Sequence, residues 1–283
     1  MDVKQRAMRF GFRALSAVAP GLAARAAEQI WFTPTRRRAG DDSRAFLATG
    51  ERLNLTVESR SVIAWRWGSG PTVILVHGWG GYGAQMRAFV EPLTRVGFQA
   101  LTFDAPAHGD SGPSRLGSRR ATLFDFADAL RAAAHETQSV AGVVAHSGGC
   151  TAAAWALRSS PSWRLPAMVF IAPMASPASY RRMFQKMLGL SDDATRRFAS
   201  NTERQFGFRW EQLEVPDMAA QMRTPPVLVF HDSDDRETSW SDGAAIAAAW
   251  PHARLHTTVG LGHVRILGDP TVIEETVRFL KAQ

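Results

Sequence analysis

The stretch Val143-Val144-Ala145-His146-Ser147-Gly148-Gly149 decides how this chain is read. Its first residues are apolar and β-branched, as in a strand buried on both faces. The residues after Ser147 suit a helix, so the serine stands on the turn between the two. Small residues lie two before it (Ala145) and two after it (Gly149). A turn this sharp strains the backbone, and larger neighbours would collide with adjacent strands. The turn lifts the hydroxyl clear of the sheet and aims the first amides of the following helix at whatever reacts there. The pattern is Gly-x-Ser-x-Gly with Ala145 in place of the first glycine.

Working outward, short β-rich runs alternate with helical patterns. Residues 53–58 and 61–67 form two adjacent alternating runs, read as an antiparallel pair. Runs at 72–76, 98–103, 140–145, 168–171, 227–230 and 255–259 follow, most of them continuously apolar. Helical patterns lie at 84–96, 119–134, 149–158, 240–250 and 271–281. The alternation predicts an α/β fold: a mostly parallel eight-stranded sheet with helices on both faces. Residues 174–222 hold no strand pattern and are expected to be a helical cap inserted in the core, which itself spans 46–173 and 223–283. Five methionines lie in that insertion; Met174, Met183 and Met187, with His146 beside the serine, are taken as substrate-binding candidates, since methionine clusters suit apolar surfaces. Residues 1–45 read as an N-terminal amphipathic helical arm, with Met8, Phe12 and Leu15 on one side of a helix over 3–19 and Arg6, Arg9 and Arg13 on another.

Three further segments follow predicted strands. His77-Gly78-Trp79-Gly80-Gly81 lets the backbone approach a substrate, with the Trp79 amide free to meet its oxygen. His231-Asp232-Ser233-Asp234-Asp235 supplies an acid. Gly260-Leu261-Gly262-His263 supplies a histidine. All sit beyond the C-terminal ends of strands, the edge of an open α/β sheet where ligands bind. The order serine, acid, histidine resembles that of the α/β-hydrolase-fold serine hydrolases of the capped esterase and lipase-like type, over about residues 53–281. That resemblance implies a carboxylic-ester hydrolase with Ser147 as nucleophile, His263 as general base and Asp235 as the orienting acid. It also implies an oxyanion hole from the amides of Trp79 and Gly148. The family pattern His-Gly-x-x-Asp, counted from His231, selects Asp235, with Asp234 as the alternative and Asp232 in the glycine position. Residues 104–111 resemble a structural loop of the family, with Ala107 in a glycine position and no catalytic role for His108. A serine at position 147 argues against the dehalogenases and epoxide hydrolases of this fold, which use aspartate. Thioesterase, acyltransferase or C–C hydrolase chemistry, or a non-catalytic binding protein, are the alternative readings.

Composition narrows the classes. The chain has 283 residues, 45% of them hydrophobic, and one cysteine, Cys150, which excludes an internal disulfide and a cysteine-based zinc site. His252 and His256 stand four apart but read as surface or strand positions and not as a helical zinc pair, so neither metal nor cofactor is expected, and the partner expected is a small-molecule ester. The formal net charge is +7. Eight basic residues against Asp2 and Glu28 make residues 1–38 strongly basic and leave the rest near neutral. The basicity is therefore a terminal feature, and nucleic acid is not expected as a partner. Peripheral membrane contact through residues 1–38 is an expectation that a basic and apolar helix carries. The cytoplasm is the expected location.

Overall fold

The computed structural model describes residues 3–35 and 39–283, in two compact units. The larger, Pro34–Ala175 with Val215–Gln283, is built on one eight-stranded sheet. Its strands are β1 (Glu51–Val57), β2 (Arg60–Trp67), β3 (Thr72–Val76), β4 (Gln99–Phe103), β5 (Val140–His146), β6 (Met168–Ile171), β7 (Val227–Asp232) and β8 (Ala253–Thr258). Their order is β1-β2-β4-β3-β5-β6-β7-β8. The β1–β2 and β2–β4 pairs are antiparallel and the other five parallel. These are the eight strands expected from the sequence, with the expected antiparallel pair at the edge.

Successive side chains on a strand point to opposite faces, so each central strand feeds two cores. Ile74, Val143, Phe170 and Val229 face one, covered by the helices Leu123–His135, Gly148–Arg158 and Trp240–Ala249. Val73, Val144, Val169 and Phe230 face the other, where Phe89, Leu93, Phe279 and Leu280 pack on them. This is why β3, β6 and β7 are buried along their whole length. From β3 the chain steps to β4 on one side and then returns to β5 on the other. Such a reversal marks the edge beyond the ends of β3 and β5 as the place where sheets of this kind take ligands.

The smaller unit joins the N-terminal helices to Ser176–Glu214. Its helices are Val3–Val18, Pro20–Trp31, Pro177–Leu188 and Asp192–Phe206. Ser176 and Ser191 cap the last two at their N-termini, and Gly189 and Gly207 end them in the left-handed conformation. Trp31 is the hub, with its ring 5.2 Å from Phe184, 6.4 Å from Phe198 and 6.1 Å from Trp210. The Arg181 guanidinium lies 4.9 Å from the Trp210 ring centre, and Asn201 donates to Glu28 at 3.0 Å.

The sequence reading drew the arm to residue 45 and the insertion over 174–222; the units divide after residues 33, 175 and 214. Val215 and Met218, one helical turn apart, are buried in the larger unit's core. The Val215 amide donates to Ala175 at 2.8 Å, pairing the two ends of the insertion inside that core. Residues 36–38, part of the basic segment, lie outside the described residues. Among those described, no helix is long and apolar enough to cross a membrane. Phe170 is fully buried, with its ring 5.7 Å from Trp250. Phe170→Ala should therefore lower the free energy of unfolding by about 3–5 kcal/mol, read from urea titration.

Candidate active site

Ser147 ends β5 and begins the helix Gly148–Arg158 with φ 55° and ψ −126°, a conformation that costs a non-glycine residue energy. Close packing holds it there. A Cβ on Gly149 would lie 2.5 Å from the His77 carbonyl oxygen, and one on Gly78 would lie 3.1 Å from the Ser147 Cβ. The loops after β3 and β5 can therefore touch only because both positions lack a side chain. The Ser147 amide donates to the Ile171 carbonyl at 3.0 Å, tying the turn to β6.

His263 reaches this turn from the short helix Gly262–Arg265. Its Nε2 is 3.0 Å from the Ser147 Oγ and its Nδ1 is 2.7 Å from the Asp235 Oδ2. Asp235 is buried in the loop after β7, where its Oδ1 accepts the amides of Glu237 (2.8 Å) and Thr238 (3.0 Å). Burial alone would raise its pKa, but hydrogen bonds from His231, His263 and the Thr238 amide outweigh that and hold it far below the usual carboxylate range. Its neighbours have other tasks. Asp234 accepts the Gly260 amide at 3.1 Å. Asp232 accepts the Thr258 hydroxyl (2.7 Å) and the Leu261 amide (3.0 Å), fastening the loop that carries His263. Of the three aspartates, the structure brings Asp235 to His263.

The loop after β3 is braced from below. His77 Nδ1 donates to the Gly78 carbonyl at 2.7 Å, while its Nε2 accepts the Ala105 amide at 3.0 Å. His108 Nε2 accepts the Gly80 amide at 3.1 Å. The Trp79 ring stacks on Phe126 at 6.1 Å. Among the described residues, no acceptor takes the amide hydrogen of Trp79 or Gly148. The two stand side by side, since a Cβ built on Gly148 would be 3.7 Å from the Cβ of Trp79. Two unspent donors beside a serine hydroxyl can stabilise negative charge on an oxygen bound there.

The remaining candidates divide. His146 is buried, and its Nε2 donates to the His263 carbonyl at 2.9 Å, so it positions His263 through the backbone. Met174 lies by the turn, with its Cε 3.7 Å from a Cβ built on Gly148. Met183 and Met187 belong to the smaller unit, where they are 58% and 45% exposed. On the helix Pro177–Leu188 the face that packs is the one bearing Ala178, Arg181, Gln185 and Leu188. His108 and Asp232, read as non-catalytic, hold loop amides. Two residues, Thr238 and Glu237, are absent from the sequence reading. Thr238 places its hydroxyl 3.0 Å from Asp235 Oδ2 and 3.2 Å from His263 Nδ1. Exposed Glu237 reaches within 3.8 Å of His263 Nε2. The Asp-x-x-Thr spacing of a side chain that caps amides two and three residues on was the one local signal for Thr238.

Residues 71–216 match the family model described as alpha/beta hydrolase fold. Comparison with curated proteins gives no match. Among solved structures the chain is similar to Est1E of Butyrivibrio proteoclasticus with ferulic acid bound, at 19% identity over 81% of this chain and 96% of that one, TM-score 0.63. It is similar to a serine hydrolase involved in carbazole degradation, at 16% identity over 83% and 100%, TM-score 0.62. It is also similar to a bromoperoxidase from Bacillus anthracis, at 15% identity over 82% and 100%, TM-score 0.60. At such identities the likeness concerns the fold, and one fold hosts many reactions.

Burial, reinforced by neighbouring imidazoles, pushes His77 and His146 down from the ordinary 6.5 to about 3. Between these values the unfolded chain takes up protons that the folded protein refuses, so stability is full above pH 6.5 and falls as pH drops toward 3. Asp235 acts in the same sense below its ordinary 3.8. Urea unfolding compared at neutral pH and in the window between 6.5 and 3 should show stability falling by up to about 1.4 kcal/mol per pH unit for each imidazole. A flat profile across that window would contradict their neutral burial.

Proposed function

The chain belongs to the alpha/beta hydrolase fold family, and from that premise we propose that it is a serine hydrolase cleaving small-molecule carboxylic esters through an acyl-enzyme. The observation that carries this reading is the unbroken contact Ser147 Oγ to His263 Nε2 at 3.0 Å and His263 Nδ1 to Asp235 Oδ2 at 2.7 Å. An ionised Asp235 accepts a hydrogen bond from His263 Nδ1–H, which fixes the tautomer whose Nε2 lone pair faces the serine hydroxyl. Ser147 Oγ bonds to the ester carbonyl carbon while its proton passes to His263 Nε2. The carbonyl oxygen, now negative, is met by the amides of Trp79 and Gly148. Collapse breaks the bond to the alkoxy oxygen, which leaves as the alcohol with the proton from Nε2. Water then gives a proton to His263, attacks the acyl carbon and releases the carboxylic acid, restoring Ser147.

Asp235 contributes orientation and charge. Its depressed pKa keeps it anionic while the imidazole is transiently cationic, so the charge separation needs no solvent. Leu123 and Met174, each within 3.7 Å of a Cβ built on Gly148, support an apolar acyl portion. Trp79 acts through its backbone, and Thr238 and His146 are positioning residues.

Hydrolysis of p-nitrophenyl esters of increasing acyl length tests the proposal. Ser147→Ala should lower kcat by about 10⁴-fold or more. Asp235→Asn should cost about 10⁴-fold by favouring the wrong imidazole tautomer, whereas Asp234→Asn leaves turnover close to that of the wild type. A fluorophosphonate should label Ser147 in the wild type. Neither turnover nor labelling would move the protein to a non-catalytic binding role.

A further inference from the structure

Ten large apolar side chains are exposed among the described residues, and seven lie in the smaller unit. That unit is also the basic part of the protein. Residues 1–33 and 176–214 carry twelve Lys and Arg against seven Asp and Glu, while the other 211 residues carry 21 against 19. Three of those 21 are Arg36, Arg37 and Arg38, which begin three residues after Thr33 in sequence.

The two N-terminal helices show how the features combine. The helix Val3–Val18 turns Phe12, Leu15 and Ser16 inward. Its opposite face carries Phe10, 76% exposed, and Val18, 83% exposed, with Ala14 and Ala17 between them and Arg6 and Arg13 alongside, all exposed. The helix Pro20–Trp31 buries Ala23, Ala24, Ala27 and Glu28 and leaves Leu22 and Ile30 outward, with Arg25 between. In water, such placement forfeits the burial of large side chains and gains nothing. At the surface of an anionic bilayer both features are used, since the apolar groups enter the headgroup boundary while arginines meet lipid phosphates. A second copy of this chain would present the same positive charge to these arginines and repel them.

We propose that the outward face of residues 3–31 docks on anionic lipid bilayers, making this a peripheral membrane protein. The contact is superficial, since no described helix can cross the membrane. It is independent of the proposed reaction, and Ser147→Ala should bind vesicles as the wild type does.

The full-length protein is sedimented with vesicles of phosphatidylcholine alone and of phosphatidylcholine with phosphatidylglycerol, at ~0.05 M and ~0.5 M NaCl. The expected result is binding to the anionic vesicles at low salt, weakened about tenfold or more at high salt. Phe10→Ser with Val18→Ser should weaken binding about tenfold at unchanged charge. Arg6→Gln with Arg13→Gln and Arg25→Gln should remove most of the salt dependence. Matching thermal unfolding curves confirm that the variants fold. Wild type left in the supernatant with anionic vesicles at low salt overturns the proposal, as do variants that bind like the wild type. So does sedimentation velocity showing a dimer that Phe10→Ser with Val18→Ser dissolves while vesicle binding is absent.

Discussion

The close approach of the loops after β3 and β5 governs the larger unit. Val76 and Ala145 are register partners, and just beyond them Gly149 packs on the His77 carbonyl and Gly78 on Ser147. That contact holds Ser147 at a positive φ it would not adopt alone. The positive φ in turn sets the direction of the hydroxyl and of the Gly148 amide. Reversal of winding at β3 puts the strained residue at the sheet edge where folds of this kind take ligands.

Loops at strand ends have no ladder to satisfy their amides, and buried amides need partners. Here side chains from neighbouring loops supply them. His77 accepts from Ala105, His108 from Gly80, Asp232 from Leu261 and Asp104 from Gly83. These bonds brace the loops after β3 and β4 against each other, and the loops after β7 and β8 against each other. Keeping the imidazoles neutral is part of the design, because a protonated His77 could not accept the Ala105 amide. The bond from Ala105 to His77 is thus kept at neutral pH and weakened by acid.

The smaller unit follows a different logic. Its core is aromatic: Trp31 from the N-terminal segment sits among Phe184, Phe198 and Trp210 from a segment more than 150 residues later. Neither segment has enough apolar surface to fold by itself, since helices of this length are marginal in water without packing. Joined, they bury Trp210, half-bury Trp31 and leave an outer surface with an excess of both positive charge and apolar side chains. Shared packing also explains why the division falls after residue 33, where Phe32 closes on Phe206, and not at residue 45.

Periodicity and turn chemistry made the sheet legible from sequence. Continuous apolar runs announced β3, β6 and β7, small residues around Ser147 announced its turn, and the order of Ser147, Asp235 and His263 placed three groups at one edge. These are local patterns, set by what each short segment must bury or bend. Other features had no local signal. The division of labour among Asp232, Asp234 and Asp235 depends on which loop amides lie within reach, as does the bond from His146 to the His263 backbone 117 residues away. Around Met183 and Met187 composition suggests an apolar surface without saying which side of their helix is covered. Sequence by itself determined the strands, their burial and the chemistry gathered at their ends, because each follows from near neighbours in the chain. Tertiary structure alone decided which loop amides Asp232 and Asp234 hold, that His146 reaches the His263 backbone and that the two ends of the smaller unit share one core, because hydrogen bonds and ring contacts form between segments that only folding brings together.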